Sequence, residues 1–147
     1  SRRPGRGPMT PTEVADHLAV VAGLHRYAYA IDDRDLDAVR GVFTADAHLD
    51  YTASGGPAGA RDEVVDWIGT GIAMLGATQH VVTNELVDLD GDTATSRCYL
   101  VNPLLTAGDD PTVVLLGGEY RDRWRRADDG WRIVDRQHVV TWTRALS

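Results

Sequence analysis

The spacing of apolar residues changes once along the chain, and the change separates a helical half from a strand-forming half. Up to about residue 75, apolar residues recur every three or four positions, which is typical of amphipathic helices. From residue 79 onward, apolar and polar residues alternate, which is typical of strands. Helices followed by a run of antiparallel strands predict an α+β domain, with the helices packed on one face of a bent sheet.

Three helices are predicted in the first half. The first covers about residues 10–31, where Thr10 can cap the helix, Pro11 suits its first position and Glu13 can reach back to the cap. The other two cover about residues 35–43 and 61–75. Apolar residues form two stripes on the first helix, so we expect it to be covered on two sides. The stripes are Val14, Leu18, Val21, His25, Tyr29 and Asp32, and then Val20, Leu24, Tyr27 and Ile31.

Two hairpins are predicted in the second half, after a short strand, HLDY. The first joins residues 79–89 to 93–101 through the turn DGD, and the second joins residues 112–126 to 131–142 through ADDG. One face of the second strand carries small residues, so we expect a cavity between that face and the helices. These residues are Ala94, Ser96, Cys98, Leu100 and Asn102.

Composition and charge agree with an ordinary soluble domain. The chain has 147 residues, of which 43% are apolar and 25% charged, so residues 10–147 are expected to form a single domain. Residues 1–9 are basic and rich in Pro and Gly, and we expect a disordered arm or a cloning remnant there. The net charge of −7 disfavours binding to nucleic acid or to an acidic membrane surface. The single cysteine, Cys98, fits a reducing compartment, so we expect a cytoplasmic protein.

Several polar residues are directed toward the interior by the same periodicities. Asp32 lies on an apolar helical stripe, Tyr51 shares a strand face with Leu49, and His80 and Asn84 share a face with Val82. Burying such groups is costly unless they are hydrogen-bonded. They therefore either satisfy one another or line a cavity and meet a ligand. Three other histidines are interpreted as non-catalytic. His25 is expected within the helix core, and His48 and His138 at the surface or in a structural role.

No motif for a metal or a nucleotide is present. The five histidines lack the close spacings HxH and HExxH, no Gly-rich phosphate loop follows a strand, and no GxSxG occurs. GTGIAMLG lies within the third predicted helix and no strand precedes it, so it is not a dinucleotide fingerprint. No cofactor is expected.

Three segments together resemble the NTF2-like, SnoaL-like superfamily over nearly the whole chain after Thr10. They are RYAYAIDDRDLDAVRGVFTADAHLDY, TQHVVTNELVDLDGDTATSRCYLV and GGEYRDRWRRADDGWRIVDRQ. Within the superfamily the chain is most similar to the scytalone dehydratase and bile acid 7α-dehydratase group. This resemblance implies a cone, in which a curved antiparallel sheet wraps around a long helix and encloses a deep pocket.

The resemblance also implies roles for particular residues. Asp32, Tyr51 and His80 match the pocket aspartate, tyrosine and histidine of the group, and Tyr27 matches the catalytic tyrosine of the bile acid enzymes. The chain departs from the group at Ile31, where scytalone dehydratase has a tyrosine. It also departs at Asn102 or Pro103, where a second histidine or an aspartate is usual.

These residues fit a cofactor-independent dehydratase acting on a small hydrophobic, cyclic or polyketide-like hydroxyketone. His80 would act as acid and base, Asp32 would hold His80, and the hydroxyls of Tyr27 and Tyr51 would stabilise an enolate. An isomerase or a cyclase would use the same groups, and a non-catalytic ligand-binding or scaffold subunit is a further alternative. An epoxide hydrolase is disfavoured because its Arg–Asp pattern is absent. The predicted substrate-binding residues are Asn84, Asn102, Leu75, Tyr120 and Trp142.

A homodimer or homotrimer is expected, because relatives of this fold commonly assemble in this way. Apolar residues on the outer face of the sheet are the predicted contact surface. They are Tyr99, Val101, Val140 and Trp142.

Overall fold

A computed structural model describes residues 7–146, and six residues of the predicted N-terminal arm lie outside this range. It confirms an α+β fold in which a strongly curved sheet wraps around the helices. The helical elements are α1 (Pro11–Asp32), α2 (Leu36–Gly41), a 3₁₀ turn (Thr52–Ser54) and α3 (Arg61–Ala73). The strands are β1 (Phe43–Asp50), β2 (Ala58–Ala60), β3 (Leu75–Thr78), β4 (Val81–Asp90), β5 (Thr93–Thr106), β6 (Val113–Ala127) and β7 (Gly130–Leu146).

The sheet has the order β2-β1-β7-β6-β5-β3, and β4 pairs with β5 beside β3. β1 and β7 run parallel to each other. The other neighbouring strands of this sheet pair in the antiparallel direction. Both predicted hairpins are present, and the second strand of each, β5 and β7, is longer than expected. Alternation alone missed the short strands β2 and β3. β1 begins at Phe43, so the strand predicted as HLDY starts earlier and α2 is correspondingly shorter.

Helix α1 begins as predicted. Thr10 Oγ1 accepts a hydrogen bond from the backbone N–H of Glu13, whose carboxylate accepts one from the N–H of Thr10. This reciprocal capping satisfies two amides that the helix cannot satisfy itself.

Only one side of α1 is covered, which corrects the two-sided expectation. The buried side carries Val20, Leu24, Tyr27 and Ile31, whereas Leu18 is 61% exposed and Tyr29 is 73% exposed. Val14 is also exposed, and His25 lies at the surface, where its Nε2 is 2.6 Å from Glu85 Oε1. Most of the first stripe therefore faces solvent, whereas Asp32 at its C-terminal end is partly buried.

The distance between α1 and the sheet sets the position of the interior space. At Gly23 the helix lies directly on Trp124, because a Cβ at this position would approach the indole to 2.8 Å. The Trp124 Nε1–H donates to Ser96 Oγ at 2.8 Å, which fixes the ring beneath the helix. About one and two turns further along α1, at Tyr27 and Ile31, the side chains line a cavity instead. Tight packing at one end and open space at the other give the cone its shape.

Candidate active site

A cavity of about 230 Å³ lies between the C-terminal half of α1, helix α3 and the inner face of the sheet. This confirms the interior space predicted between the sheet and the helices, although Leu100 and Asn102, rather than the smaller Ala94, Ser96 and Cys98, are the residues of that β5 face that line it. Most of its wall is apolar. The apolar lining residues are Ile31, Trp67, Ile68, Ile72, Leu75, Leu100, Leu104 and Leu116.

Asp32 and His80 form a hydrogen-bonded pair at this cavity. Asp32 is the last residue of α1, and His80 lies between β3 and β4, where the chain passes that end of the helix. Asp32 Oδ1 is 2.7 Å from His80 Nδ1, and Asp32 Oδ2 accepts from the backbone N–H of His80 at 2.7 Å. Because a carboxylate only accepts, Nδ1 carries the proton and the ring orientation is fixed. The other nitrogen, Nε2, has no carboxylate partner and lies 3.4 Å from the Asn102 amide.

Three tyrosines form a second polar cluster in the same cavity. The hydroxyl oxygens of Tyr27 and Tyr51 are 2.5 Å apart, and the ring of Tyr120 meets that of Tyr27 edge-on at 5.4 Å. The rings of Tyr27 and His80 are 6.5 Å apart, so the phenols lie next to the Asp32–His80 pair. Burial raises the pKa of all three phenols. They therefore stay protonated and can donate hydrogen bonds at neutral pH.

A buried arginine lies behind the tyrosines. Arg136 is 0% exposed, and its guanidinium stacks on Tyr120 at 3.9 Å and on Tyr27 at 4.2 Å from the ring centroids. Asp122, also fully buried, accepts two hydrogen bonds from it, at 2.8 and 2.7 Å. The proximity of the positive charge opposes the effect of burial on the pKa of Tyr27 and Tyr51. The cation thus favours any negative charge that develops at these phenols or at an oxygen bound to them.

His138 also lines the cavity, which corrects its surface reading. It is 6% exposed, its ring lies 5.2 Å from those of Tyr51 and Tyr120, and its Nδ1 is 2.9 Å from Ser54 Oγ. Its Nε2 is buried without a hydrogen-bond partner among the described residues. Burial, followed by the charge of Arg136, lowers the pKa of His138 to about 4. The imidazole is therefore neutral at pH 7.

Folding stability should depend on pH through His138. The unfolded chain takes up a proton on this histidine near its ordinary pKa of about 6.5, whereas the folded chain resists until about pH 4. The contribution is complete above pH 6.5 and is lost as the pH falls toward 4, by roughly 3 kcal/mol in total. Urea unfolding of His138→Phe should show a decline between pH 7 and pH 4 that is smaller by that amount. His48→Gln, at an exposed position, is the control, and identical declines for His138→Phe and wild type would contradict the assignment.

The structure sorts the five predicted substrate-binding residues into two groups. Leu75, Asn102 and Tyr120 line the cavity. Asn84 and Trp142 do not, and both predictions are wrong. Asn84 lies in a separate surface depression with Leu86 and Arg97, and Trp142 is 46% exposed and covers Gly117.

Three β-bulges explain which side chains face the cavity. A bulge inserts one extra residue into a strand and reverses the face of every residue after it. In β4 the register shifts between Thr83 and Leu86, so Asn84, with φ of 58°, turns outward. In β7 one shift lies opposite Arg123/Trp124 and another opposite Gly117/Gly118. The first turns Arg136 and His138 inward, and the second turns Trp142 outward.

Arg136 and His138 are therefore the residues of the site that periodicity missed. Counted from the buried Trp131 and Ile133, strict alternation would place residues 135 and 137 inside. The sequence contains one indication of a buried ion pair. Asp122 and Arg136 are charged residues within strands whose buried faces are otherwise mostly apolar. A buried carboxylate on one strand calls for a cation on its neighbour.

No metal site was found in the described part of the chain, where no group of three or more His, Cys, Asp or Glu side chains is arranged to hold an ion. Within residues 7–146, none of the helices combines the length and the apolar character needed to span a membrane.

Comparisons with known proteins give one family and several similar folds. The sequence profile of the family described as "SnoaL-like domain" matches residues 12–137. "Uncharacterized protein Rv2910c" of Mycobacterium tuberculosis (strain ATCC 25618 / H37Rv) is 37% identical over 141 residues, which are 96% of each chain. The structure of a "Putative Scytalone Dehydratase" from Novosphingobium aromaticivorans DSM 12444 has a TM-score of 0.84 and 21% identity, covering 95% of this chain and 93% of that one.

Another similar structure is the hexachlorocyclohexane dehydrochlorinase LinA-type3 from Novosphingobium barchaimii LL02. It has a TM-score of 0.79 and 14% identity, covering 91% of this chain and 92% of that one. At these identities the two solved structures show a shared fold.

Proposed function

Because this chain belongs to the SnoaL-like domain family, we propose that its cavity is the active site of a cofactor-independent, dehydratase-like lyase. The substrate is a small hydrophobic cyclic or polyketide-like hydroxyketone, and the reaction passes through an enolate. One observation carries this proposal: His80 lines the same cavity as the paired hydroxyls of Tyr27 and Tyr51, and Asp32 holds it from behind, with 2.7 Å between Oδ1 and Nδ1.

The first step is removal of the proton on the carbon next to the carbonyl. Asp32 holds the Nδ1–H of His80, so the lone pair on Nε2 takes the proton. The electrons of the broken C–H bond move to the carbonyl oxygen and form an enolate. A hydroxyl of the Tyr27–Tyr51 pair donates to this oxygen, and the buried cation of Arg136 stabilises the charge from behind.

The second step returns the same proton. Nε2–H donates to the hydroxyl on the β-carbon, the C–O bond breaks, and the enolate electrons form the new double bond. The products are water and a conjugated enone, and His80 is neutral again. Asp32 stabilises the imidazolium between the two steps, because its carboxylate is already hydrogen-bonded to Nδ1.

The cavity limits the size of the substrate. Its volume of about 230 Å³ is below the range of roughly 300–1,000 Å³ of pockets that hold drug-sized ligands. Most of the wall is apolar. The polar side chains that line it are Ser54, Thr78, His80, Asn102, His138 and the three tyrosines. A ligand with one or two rings and few oxygens fits this wall better than a large fused-ring compound.

Two assays on the same protein test the proposal. Nuclear magnetic resonance in D₂O should show loss of α-protons from cyclic ketones of one and two rings, because formation of an enolate exchanges them with solvent. Ultraviolet absorbance should show enone formation from the matching β-hydroxyketones. Exchange accompanied by double-bond migration or ring closure would instead identify an isomerase or a cyclase. Binding of these ketones without exchange would contradict an enolate enzyme and favour a ligand-binding role.

Removing the hydroxyl of Tyr51 should weaken turnover without changing the fold. Tyr51→Phe deletes one hydrogen bond to a developing negative charge, which is worth about 1.5–3 kcal/mol, so kcat is expected to fall about 10- to 100-fold. Steady-state kinetics on any β-hydroxyketone turned over by the wild type provide the measurement. The matched control is Tyr29→Phe, on the exposed side of α1, which should leave kcat unchanged. Equal kcat values for Tyr51→Phe and wild type would remove Tyr51 from the mechanism.

A further inference from the structure

Asn102 is the amide that faces the catalytic nitrogen of His80. Its side chain projects from the inner face of β5, is 9% exposed, and lies 3.4 Å from Nε2. Where the scytalone dehydratase group has a titratable second residue in this strand, the amide of Asn102 carries no ionisable proton. Its contribution must therefore come through hydrogen bonding.

The amide of Asn102 has two possible orientations, and its surroundings favour one of them. In the disfavoured one, Nδ2 points to His80 Nε2 and Oδ1 accepts from Thr78 Oγ1 at 2.8 Å, but Oδ1 also faces the backbone carbonyl oxygens of Gln79 and Pro103, which repel it. In the favoured one, Oδ1 lies beside Nε2, and the two N–H groups of Nδ2 have three acceptors within reach, the carbonyl oxygens of Gln79 at 3.1 Å and Pro103 at 3.2 Å and Thr78 Oγ1 at 2.8 Å. The Thr78 hydroxyl can either donate or accept, so it serves both orientations.

Each orientation matches one protonation state of His80. Because Nδ1–H is committed to Asp32, a neutral His80 has a lone pair on Nε2, which an amide N–H can meet. After Nε2 has gained a proton it becomes a donor, and only the amide oxygen can accept from it. The oxygen-facing orientation also gains the two backbone carbonyls, which can only accept. The surroundings of Asn102 thus favour the state in which Nε2 of His80 is protonated in addition to Nδ1.

We propose that Asn102 is a positioning residue. It accepts a hydrogen bond from Nε2–H of His80 and so stabilises the imidazolium that exists between the two proton transfers. This inference rests on the proposed function, in which His80 takes the α-proton and then returns it to the leaving hydroxyl. Asp32 contacts Nδ1 and Asn102 contacts Nε2, so the ring cannot rotate and the proton on Nε2 keeps its position in the cavity.

The test measures the protonation of His80 in the full chain without substrate. Side-chain ¹⁵N resonances report the ratio of doubly protonated to neutral imidazole at a fixed pH near neutrality. Asn102→Leu keeps the approximate shape but loses the acceptor, and one such hydrogen bond corresponds to about a tenfold decrease in this ratio. Asn102→Asp keeps an acceptor and adds a charge, so its ratio should equal or exceed that of the wild type. Asn102→Ser, too short to reach Nε2, should behave like Asn102→Leu and replaces it if the leucine variant does not fold.

The control is Ser54→Ala, which lines the same cavity but contacts His138 rather than His80. Its ratio for His80 should match the wild type. A ratio for both Asn102→Leu and Asn102→Ser within twofold of the wild type would overturn the proposal. This measurement needs no substrate, so the two claims can fail separately. An absence of enolate chemistry in the D₂O assay would refute the proposed function. The ratio measured for His80 would still test the hydrogen bond from Asn102.

Discussion

Replacing His80 with alanine is expected to lower kcat by about 10²- to 10⁴-fold, the usual contribution of one positioned acid–base group. The effect is large because the same imidazole acts in both steps of the proposed reaction. Among the described residues, the side chain within hydrogen-bond distance of its Nε2 is the amide of Asn102, which has no proton to exchange at neutral pH. The variant therefore loses the group to which the proposal assigns both proton transfers.

Steady-state kinetics and α-proton exchange in D₂O should decline together in His80→Ala, since both depend on removal of the same proton. Asp32→Asn is the companion variant, because it keeps the size of the side chain but removes the carboxylate that orients Nδ1. The matched control, His48→Ala, removes an exposed histidine from β1. Unchanged turnover of the substrate in His80→Ala would show that the Asp32–His80 pair has a structural role and that the chemistry lies elsewhere.

Replacing Arg136 with methionine should cost about 3–5 kcal/mol of folding free energy, the largest effect on stability expected at this site. The carboxylate of Asp122 would be left in a fully buried position without its cation. Burial already raises the pKa of Asp122, and Arg136 opposes that rise. Without the arginine the carboxyl must either stay charged at high cost or take up a proton. Urea unfolding at pH 7 measures the loss.

The double variant Asp122→Leu/Arg136→Met separates charge balance from catalysis. A buried ion pair replaced by apolar residues of similar size commonly loses little stability, so most of the 3–5 kcal/mol should return. Turnover should stay low, by about ten- to thirtyfold, because the cation stacked on Tyr27 and Tyr120 is still missing. Arg123→Met is the control, since its ion pair with Asp135 is on the surface and such pairs contribute at most about 1 kcal/mol. Recovery of both stability and turnover in the double variant would limit Arg136 to a structural role.

The family and the fold class follow from local features that the sequence displays directly. The capping residues Thr10 and Glu13 begin α1 where predicted, and the change of period near residue 76 separates helices from strands. Alternation along β5 correctly predicts its buried face, of which Leu100 and Asn102 border the cavity. The predicted SnoaL-like family is confirmed by the profile match over residues 12–137. These features depend on residues that are close together in the chain, so they can be predicted from the sequence alone.

Part of the candidate site can be predicted from the sequence for the same reason. Tyr27 is placed by helical spacing and lines one cavity with His80 and Tyr51, which are placed by alternation. Asp32, also placed by helical spacing, contacts this cavity through its hydrogen bond to His80. Their roles remain the prediction that the kinetic experiments address. Val14, Leu18 and Tyr29 show the limit of this reasoning, because helical spacing defines a stripe but does not state whether anything covers it.

The sequence by itself determined the kinds of groups available, the order of the elements and the family to which the chain belongs. Only the tertiary structure decided which faces of β4 and β7 point into the cone. Alternation has a period of two, so a single extra residue at a bulge exchanges the two faces, and the position of that residue depends on pairing with a strand distant in sequence. Asn84 and Trp142 turned outward and Arg136 and His138 turned inward for this reason. The positive charge behind the tyrosines and the neutral histidine beside them are thus consequences of strand pairing.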